Sequence, residues 1–284
     1  MNASRLPRCL AAAALAATSG LTLQAEDSFD TIVSPVTNPI YFESALIQSE
    51  VRPIYMHHRI DDDFVGGDAN VYALQLRWAV TDRLAIIATK DGYVDLNPDV
   101  LPHNDGWADV AAGVKYALIK DEANAFVLTP GVTFEIPLGQ DDVFQGNGDG
   151  MFNLFTSVVK GWGKFHVSGN VGFNLPIDMD AETSNLHASV MLDYWVSRWF
   201  IPQFSFNSFT TLSDGTGPAL GTEGFDLINF GTSNARGITQ AAVGFGFRSR
   251  LLESLDLGFA WELGVTERPD IFDTRYTVDM IWRF

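Results

Sequence analysis

The sequence predicts an all-β fold: a single antiparallel transmembrane β-barrel of about 12 strands, with short periplasmic turns and long extracellular loops. Three observations carry that expectation. Apolar and polar residues alternate with a period of two along most of the chain, as strands with two different faces require. No helical stripe of useful length accompanies them. The segments between alternating runs are by turns short and long, which strands threading back and forth between two compartments produce.

Composition narrows the class from the other side. Hydrophobic residues make up 46% of the 284, too many for a disordered chain, yet mean hydropathy is only +0.07. Beyond the N-terminus no stretch reaches the roughly 18 apolar residues of a membrane helix. Lys and Arg number 18 against 35 Asp and Glu, and the resulting net charge of −17 disfavours nucleic acid as a partner.

Taken in order, residues 1–25 read as a secretory signal peptide. Arg5 and Arg8 form its basic start, Cys9 to Ala17 a short apolar run, and Leu23-Gln24-Ala25 a small-residue cleavage site. Removing them leaves 259 residues, no cysteine and a net charge of −19, so thiol chemistry drops out. An exported chain of this kind points to the outer membrane of a Gram-negative-type bacterium. Residues 26–49 precede the first strand. Pro35 and Pro39 oppose a regular strand there, which leaves a periplasmic tail or a plug inside the lumen.

Residues 50–284 form the barrel. Alternation places strands near 51–60, 70–80, 83–95, 107–119, 124–138, 150–161, 164–176, 185–196, 199–212, 237–249, 254–266 and 275–284. Tyr72, Leu74, Leu76 and Trp78 oppose Gln75 and Arg77; Phe165, Val167, Val171 and Phe173 oppose His166, Ser168, Asn170 and Asn174. Short connections include Thr81-Asp82 and Ser197-Arg198, while long ones fall at 61–69, 96–106, 139–149, 177–184, 213–236 and 267–274. Trp78, Trp162, Trp195, Trp199 and Trp282 lie near the short turns and Trp107 near a long loop, where interfacial aromatics belong.

About 12 strands enclose either a narrow channel or a partly plugged lumen. The face opposite the apolar one carries Arg59, Arg77, Asp109, Lys115, Glu135, His166, His187, Asp193, Arg248, Glu262, Asp279 and Arg283. Arg77, Asp109, Lys115, Glu135 and Arg248 are the candidate pore residues. Such charges either orient a small solute at a constriction or pair with one another to hold the barrel. Acidic residues crowd the long loops, among them Asp61-Asp62-Asp63, Asp99, Asp141-Asp142 and Asp149. They are solvated loops, repel anions, or bind divalent cations that bridge to lipopolysaccharide. No cofactor or resident metal site is expected; around Asn147-Gly148-Asp149-Gly150 the glutamate a calcium loop needs is missing.

Two resemblances bear on function. His166-Val167-Ser168-Gly169-Asn170 is similar to the His-x-Ser-Asn-Gly stretch of outer-membrane phospholipase A, but Gly169 stands where the Asn should be, and Phe165 and Val167 claim the lipid face. No catalytic residue is assigned from it, and no enzyme is expected. The hairpin phrases Leu76-Arg77-Trp78-Ala79-Val80-Thr81-Asp82-Arg83-Leu84 and Leu192-Asp193-Tyr194-Trp195-Val196-Ser197-Arg198-Trp199-Phe200 resemble the barrel family named for the MetA pathway of phenol degradation. So does Gly106-Trp107-Ala108-Asp109 leading to Gly113-Val114-Lys115-Tyr116. That resemblance implies an outer-membrane barrel for uptake of aromatic or other hydrophobic compounds.

The last strand, Tyr276-x-Val278-x-Met280-x-Trp282-x-Phe284, resembles the C-terminal signature read by the barrel-insertion machinery, which is thus an expected partner beside outer-membrane lipids. The expected function is a passive channel or transporter for small solutes. The rivals are a surface-interaction barrel whose loop 213–236 contacts a partner, and a lipid-modifying enzyme.

Overall fold

A computed structural model describes residues 29–266 and 272–284. The expected signal peptide, residues 1–25, lies outside the described residues. Alternating apolar and polar side chains give each strand one face for the interior and one for the outside, and twelve such staves close into a ring. They are β1 (Glu50–Arg59), β2 (Asp68–Ala79), β3 (Leu84–Lys90, continued by Tyr93–Asn97), β4 (Asn104–Trp107, continued by Val110–Tyr116), β5 (Phe126–Ile136) and β6 (Met151–Trp162). Then follow β7 (Phe165–Pro176), β8 (Asn185–Tyr194), β9 (Ile201–Thr211), β10 (Thr239–Leu252), β11 (Leu255–Gly264) and β12 (Thr274–Arg283). Each is antiparallel to its chain neighbours. The first and last pair through Val51↔Trp282, Tyr55↔Val278 and His57↔Tyr276, so the ring closes and its terminal strands present no free edge.

Two staves are interrupted where the sequence predicts unbroken strands. In β3 the break falls at Asp91-Gly92: the Asp91 carboxylate accepts the Leu74 amide at 2.8 Å, and Gly92 takes φ +120, open to glycine but not to residues with a Cβ. In β4 it falls at Ala108-Asp109, where the Asp109 carboxylate turns to accept the backbone N–H groups of Gly139 and Gly146. Side-chain acceptors take over from the ladder at both places.

Outward positions are apolar and open. Tyr72, Leu74, Leu76 and Trp78 on β2, Phe204 and Phe206 on β9, and Tyr276, Val278, Met280 and Trp282 on β12 are all exposed. Inward positions are mostly polar or small, with Ile54, Met56, Ile87, Phe155 and Phe209 among the large apolar exceptions. Arg59 corrects the sequence reading: its side chain is 61% exposed, beside Asp62. The three polar residues His57-His58-Arg59 interrupt the alternation, and register assigns the interior to Glu50, Arg52, Ile54, Met56 and His58 instead.

Residues 29–49 run inside the ring. From the short-turn end, where Asp30 and Ile32 meet Arg250, the chain climbs to a reversal at Asn38. Asn38 adopts φ +46 and its carbonyl accepts the Phe42 amide at 2.8 Å. The chain then descends to β1, where Ser49 Oγ accepts the Ala79 amide. At the opposite end the 213–236 connection folds back over the ring, burying Phe225, Leu227 and Ile228 in an apolar cluster with Ile40, Tyr41, Met56 and Phe209.

Candidate functional site

The interior is built around an irregular backbone that cannot satisfy its own carbonyls, and buried carbonyls need donors. Wall side chains supply them. Arg248 Nε donates to Ser34 O at 3.0 Å, and Arg52 Nη2 to Pro35 O at 2.8 Å. Gln75 Nε2 donates to Pro39 O at 2.8 Å, Ser157 Oγ to Glu43 O at 2.7 Å and Thr129 Oγ1 to Ala45 O at 2.6 Å. Hydroxyl contacts add Thr37 to Ser205 at 2.9 Å, and Asn38 Nδ2 donates to Ser189 Oγ at 3.1 Å. These wall partners come from β1, β2, β5, β6, β8, β9 and β10, so the segment is gripped from most of the ring's circumference.

Charges are arranged in separate groups rather than one constriction. Arg77 and Lys115 converge on Glu43 of the interior segment, at 2.6 and 2.7 Å, with Glu50 a further 3.3 Å from Arg77. Arg52 and Arg248 clamp Asp279, the latter with bonds of 2.9 and 3.0 Å. Lys90 donates to Glu135 at 2.5 Å and lies 4.0 Å from Asp109. Arg275 holds Glu262 at 2.7 Å and Asp226 of the 213–236 connection through two bonds of 2.7 Å. All these side chains are buried. In such surroundings pairing offsets the desolvation that an isolated charge would suffer.

Of the five candidate pore residues, Arg77 and Lys115 therefore meet on one carboxylate, Asp109 and Glu135 meet at Lys90, and Arg248 stands apart with Asp279. Sequence reasoning missed Glu43, Arg52, Lys90, Asp226 and Arg275. One signal was available. At the level of Arg77 and Lys115, the inward positions of β2, β3 and β4 are Gln75, Ile87, Thr89, Ala111 and Gly113, none of them acidic. Two neighbouring buried cations with Glu50 of β1 as the one wall carboxylate beside them call for a second from elsewhere.

His166 spends both ring nitrogens away from Ser168. Asp193 Oδ1 lies 2.6 Å from Nδ1 and Thr31 Oγ1 lies 3.0 Å from Nε2. A carboxylate only accepts, so Nδ1 carries a proton toward Asp193, and Nε2 is taken up by the Thr31 hydroxyl. Ser168 thus gains no base from its sequence neighbour.

At the long-loop end lies a cavity of about 410 Å³ whose lining includes Ile60, Phe64, Leu96, Leu101, Phe144 and Phe230. Ile60, Leu96 and Ile228 belong both to its wall and to the apolar cluster inside the ring.

No family model and no curated protein matches the chain. Solved structures do. The COG4313 outer membrane channel from Pseudomonas putida F1 superposes with a TM-score of 0.64 at 16% identity, covering 89% of this chain and 100% of that one. The NanC porin superposes with a TM-score of 0.51 at 10% identity over 83% and 100% of the two chains. Outer membrane phospholipase A from Escherichia coli reaches only 0.39 at 10% identity, over 83% and 96%, too distant to carry an argument. The first two likenesses place the chain in a barrel fold that outer-membrane channels use.

Proposed function

We infer that the chain is a passive outer-membrane channel for small solutes, aromatic or other apolar compounds among them, described here with its lumen closed by residues 29–49. One observation carries this reading: the wall does not fill its own interior. Many inward positions are small or polar (Ser157, Ser168, Ser189, Ser205, Asn207, Gly244, Gly258), and the space they leave is taken by a chain segment held through side-chain hydrogen bonds. A barrel built only for rigidity would pack its bore with large side chains from its own strands. Withdrawing the segment leaves a polar, water-compatible bore.

The membrane setting is supported by the exposed apolar belt and by amphipathic pairs at the short-turn end, where Lys160 lies 5.6 Å over Trp162 and Arg198 5.0 Å over Trp199. Outer-membrane lipids and lipopolysaccharide around the belt, and insertion through the strand ending at Phe284, complete the reading. Arg77, Lys115 and Arg248 would line the opened bore, since each now faces residues 29–49.

The test is conductance in planar bilayers. A Thr37→Cys/Ser205→Cys variant locks the segment when oxidised, because the two hydroxyls already touch and the mature chain has no other cysteine. Current and apolar-solute flux that appear on reduction, and rise further when residues 29–48 are deleted, support the channel. A folded deletion variant that passes neither ions nor solutes sinks it.

A further inference from the structure

The long-loop cavity has features that the interior network does not explain. Its volume falls within the roughly 300–1,000 Å³ of small-molecule sites. Phe230 faces Phe64 at 6.2 Å and Phe144 at 5.5 Å, so three rings form its wall, and Asn147 is the single polar side chain in its lining. Such a space receives an apolar body and offers no partner to a buried charge.

The rim is the opposite of the wall. The connections that supply the lining, residues 60–67, 98–103, 137–150 and 213–236, contain ten acidic residues and one basic residue, Arg236. Glu223 and Asp226 turn inward, Glu223 accepting the amides of Phe230 and Thr232 and Asp226 pairing with Arg275. Asp62, Asp63, Asp99, Asp141, Asp142 and Asp149 are exposed on these same connections, Asp62 and Asp63 directly before Phe64. Asp99 folds against the connection that carries Phe64 and Val65: a Cβ added at Gly66 would lie 2.6 Å from its Oδ2. Arg59, 3.6 Å from Asp62, offsets one of these charges.

The geometry points to a binding site for small amphipathic cations, with the apolar body among Phe64, Phe144 and Phe230 and the positive head among the rim carboxylates. Burial of the body is indifferent to the sign of the head. The rim is not: at physiological salt its charges act over about 8 Å, enough to attract an ammonium and repel a carboxylate at the mouth. The inference deepens the channel reading by naming a solute class and rests on it only for passage beyond the cavity.

Three matched probes test it on the full-length mature protein in maltoside micelles: 4-phenylbutylamine, 4-phenylbutanol and 4-phenylbutanoate, titrated by calorimetry against empty micelles. The amine is expected to bind about 10-fold or more tightly than the carboxylate at low salt, with the alcohol between, and the gap to shrink severalfold at high salt. Asp62→Asn/Asp63→Asn/Asp99→Asn should close the gap while leaving the alcohol unchanged, and Val65→Trp should weaken all three. Equal binding of amine and carboxylate, or a gap that survives the triple substitution, overturns the cation preference. Absence of binding by every probe overturns the site itself. Flux measurements answer separately for the channel: selective binding without passage leaves this site standing and removes the channel.

Discussion

Glu43 and Arg77 hold each other across the inside of the barrel. Arg77 Nη2 donates to Glu43 Oε2 at 2.6 Å and its Nε to Oε1 at 3.0 Å, while Lys115 donates to the same Oε1 at 2.7 Å. One partner belongs to the wall and the other to the segment that fills it, so this contact couples the segment's position to buried charge. With Glu43→Ala, Arg77 keeps Glu50, and Lys115 keeps the Ser44 carbonyl. Breaking a buried pair from one side costs about 3–5 kcal/mol, and here the loss falls on docking of the segment. Amide hydrogen exchange over residues 32–47 should accelerate by orders of magnitude in Glu43→Ala and less in Glu43→Gln, whose amide oxygen still accepts. Unchanged exchange would remove the ion pair from the docking account.

A second lock sits at the other end. Asp226 reaches down from the 213–236 connection to Arg275 with two bonds of 2.7 Å, and Phe225 beside it lies 4.4 Å from Phe209 and 5.6 Å from Phe272. Asp226→Asn leaves Arg275 neutralised by Glu262, so only the loop's share is lost, about 1.5–3 kcal/mol for bonds to a charged group. Proteolysis within 213–236 should become faster while the barrel's unfolding midpoint changes little. A variant cut no faster than the parent would show that the apolar contacts of Phe225, Leu227 and Ile228 hold the connection down without the ion pair.

How far the sequence revealed this arrangement depends on what each residue packs against. Strands between two unlike surroundings write their alternation into the chain, so every stave was legible to within a few residues, Tyr276 to Phe284 most plainly. The breaks at Asp91-Gly92 and Ala108-Asp109 were not, because they depend on where a carboxylate finds a distant amide. Residues 29–49 carry no period at all. Val36, Asn38 and Phe42 are enclosed on every side, and a segment surrounded by wall has no exposed face to alternate with. The acidic loops were visible as charge, but the cavity between them arises only when four distant connections meet.

Close packing inside the ring makes a third prediction. Gly258 faces the Asp279 carboxylate, and a Cβ there would lie 2.3 Å from Oδ1 and 2.8 Å from Val36 Cγ2. Asp279 is pinned by Arg52 and Arg248 and cannot swing away without stranding both. Gly258→Ala should therefore cost about 1–3 kcal/mol through overpacking, read as a lower unfolding midpoint. Gly169→Ala is the matched control, since its nearest neighbour is a Val158 methyl at 3.3 Å. Equal midpoints for the two variants would contradict the tight fit at Asp279.

The last prediction concerns pH and the 177–184 connection. Glu182 is buried there, and burial first, then the neighbouring Glu135, pushes its carboxyl up to about 8, against the partial relief of Lys90. Asp109 and Asp178 act in the same direction as Glu135. An unfolded glutamate titrates near about 4.3, so between that value and about 8 the folded state holds the extra proton. The stabilising contribution is whole below about 4.3 and is lost as pH rises through about 8. Opening of the 177–184 connection, followed by protease nicking at constant enzyme activity, should thus be rarer at pH 5.5 than at pH 9. Glu182→Gln carries the neutral shape permanently and should flatten that profile. A pH dependence that persists in Glu182→Gln would assign the titration to another group of the Lys90, Glu135 and Asp109 cluster.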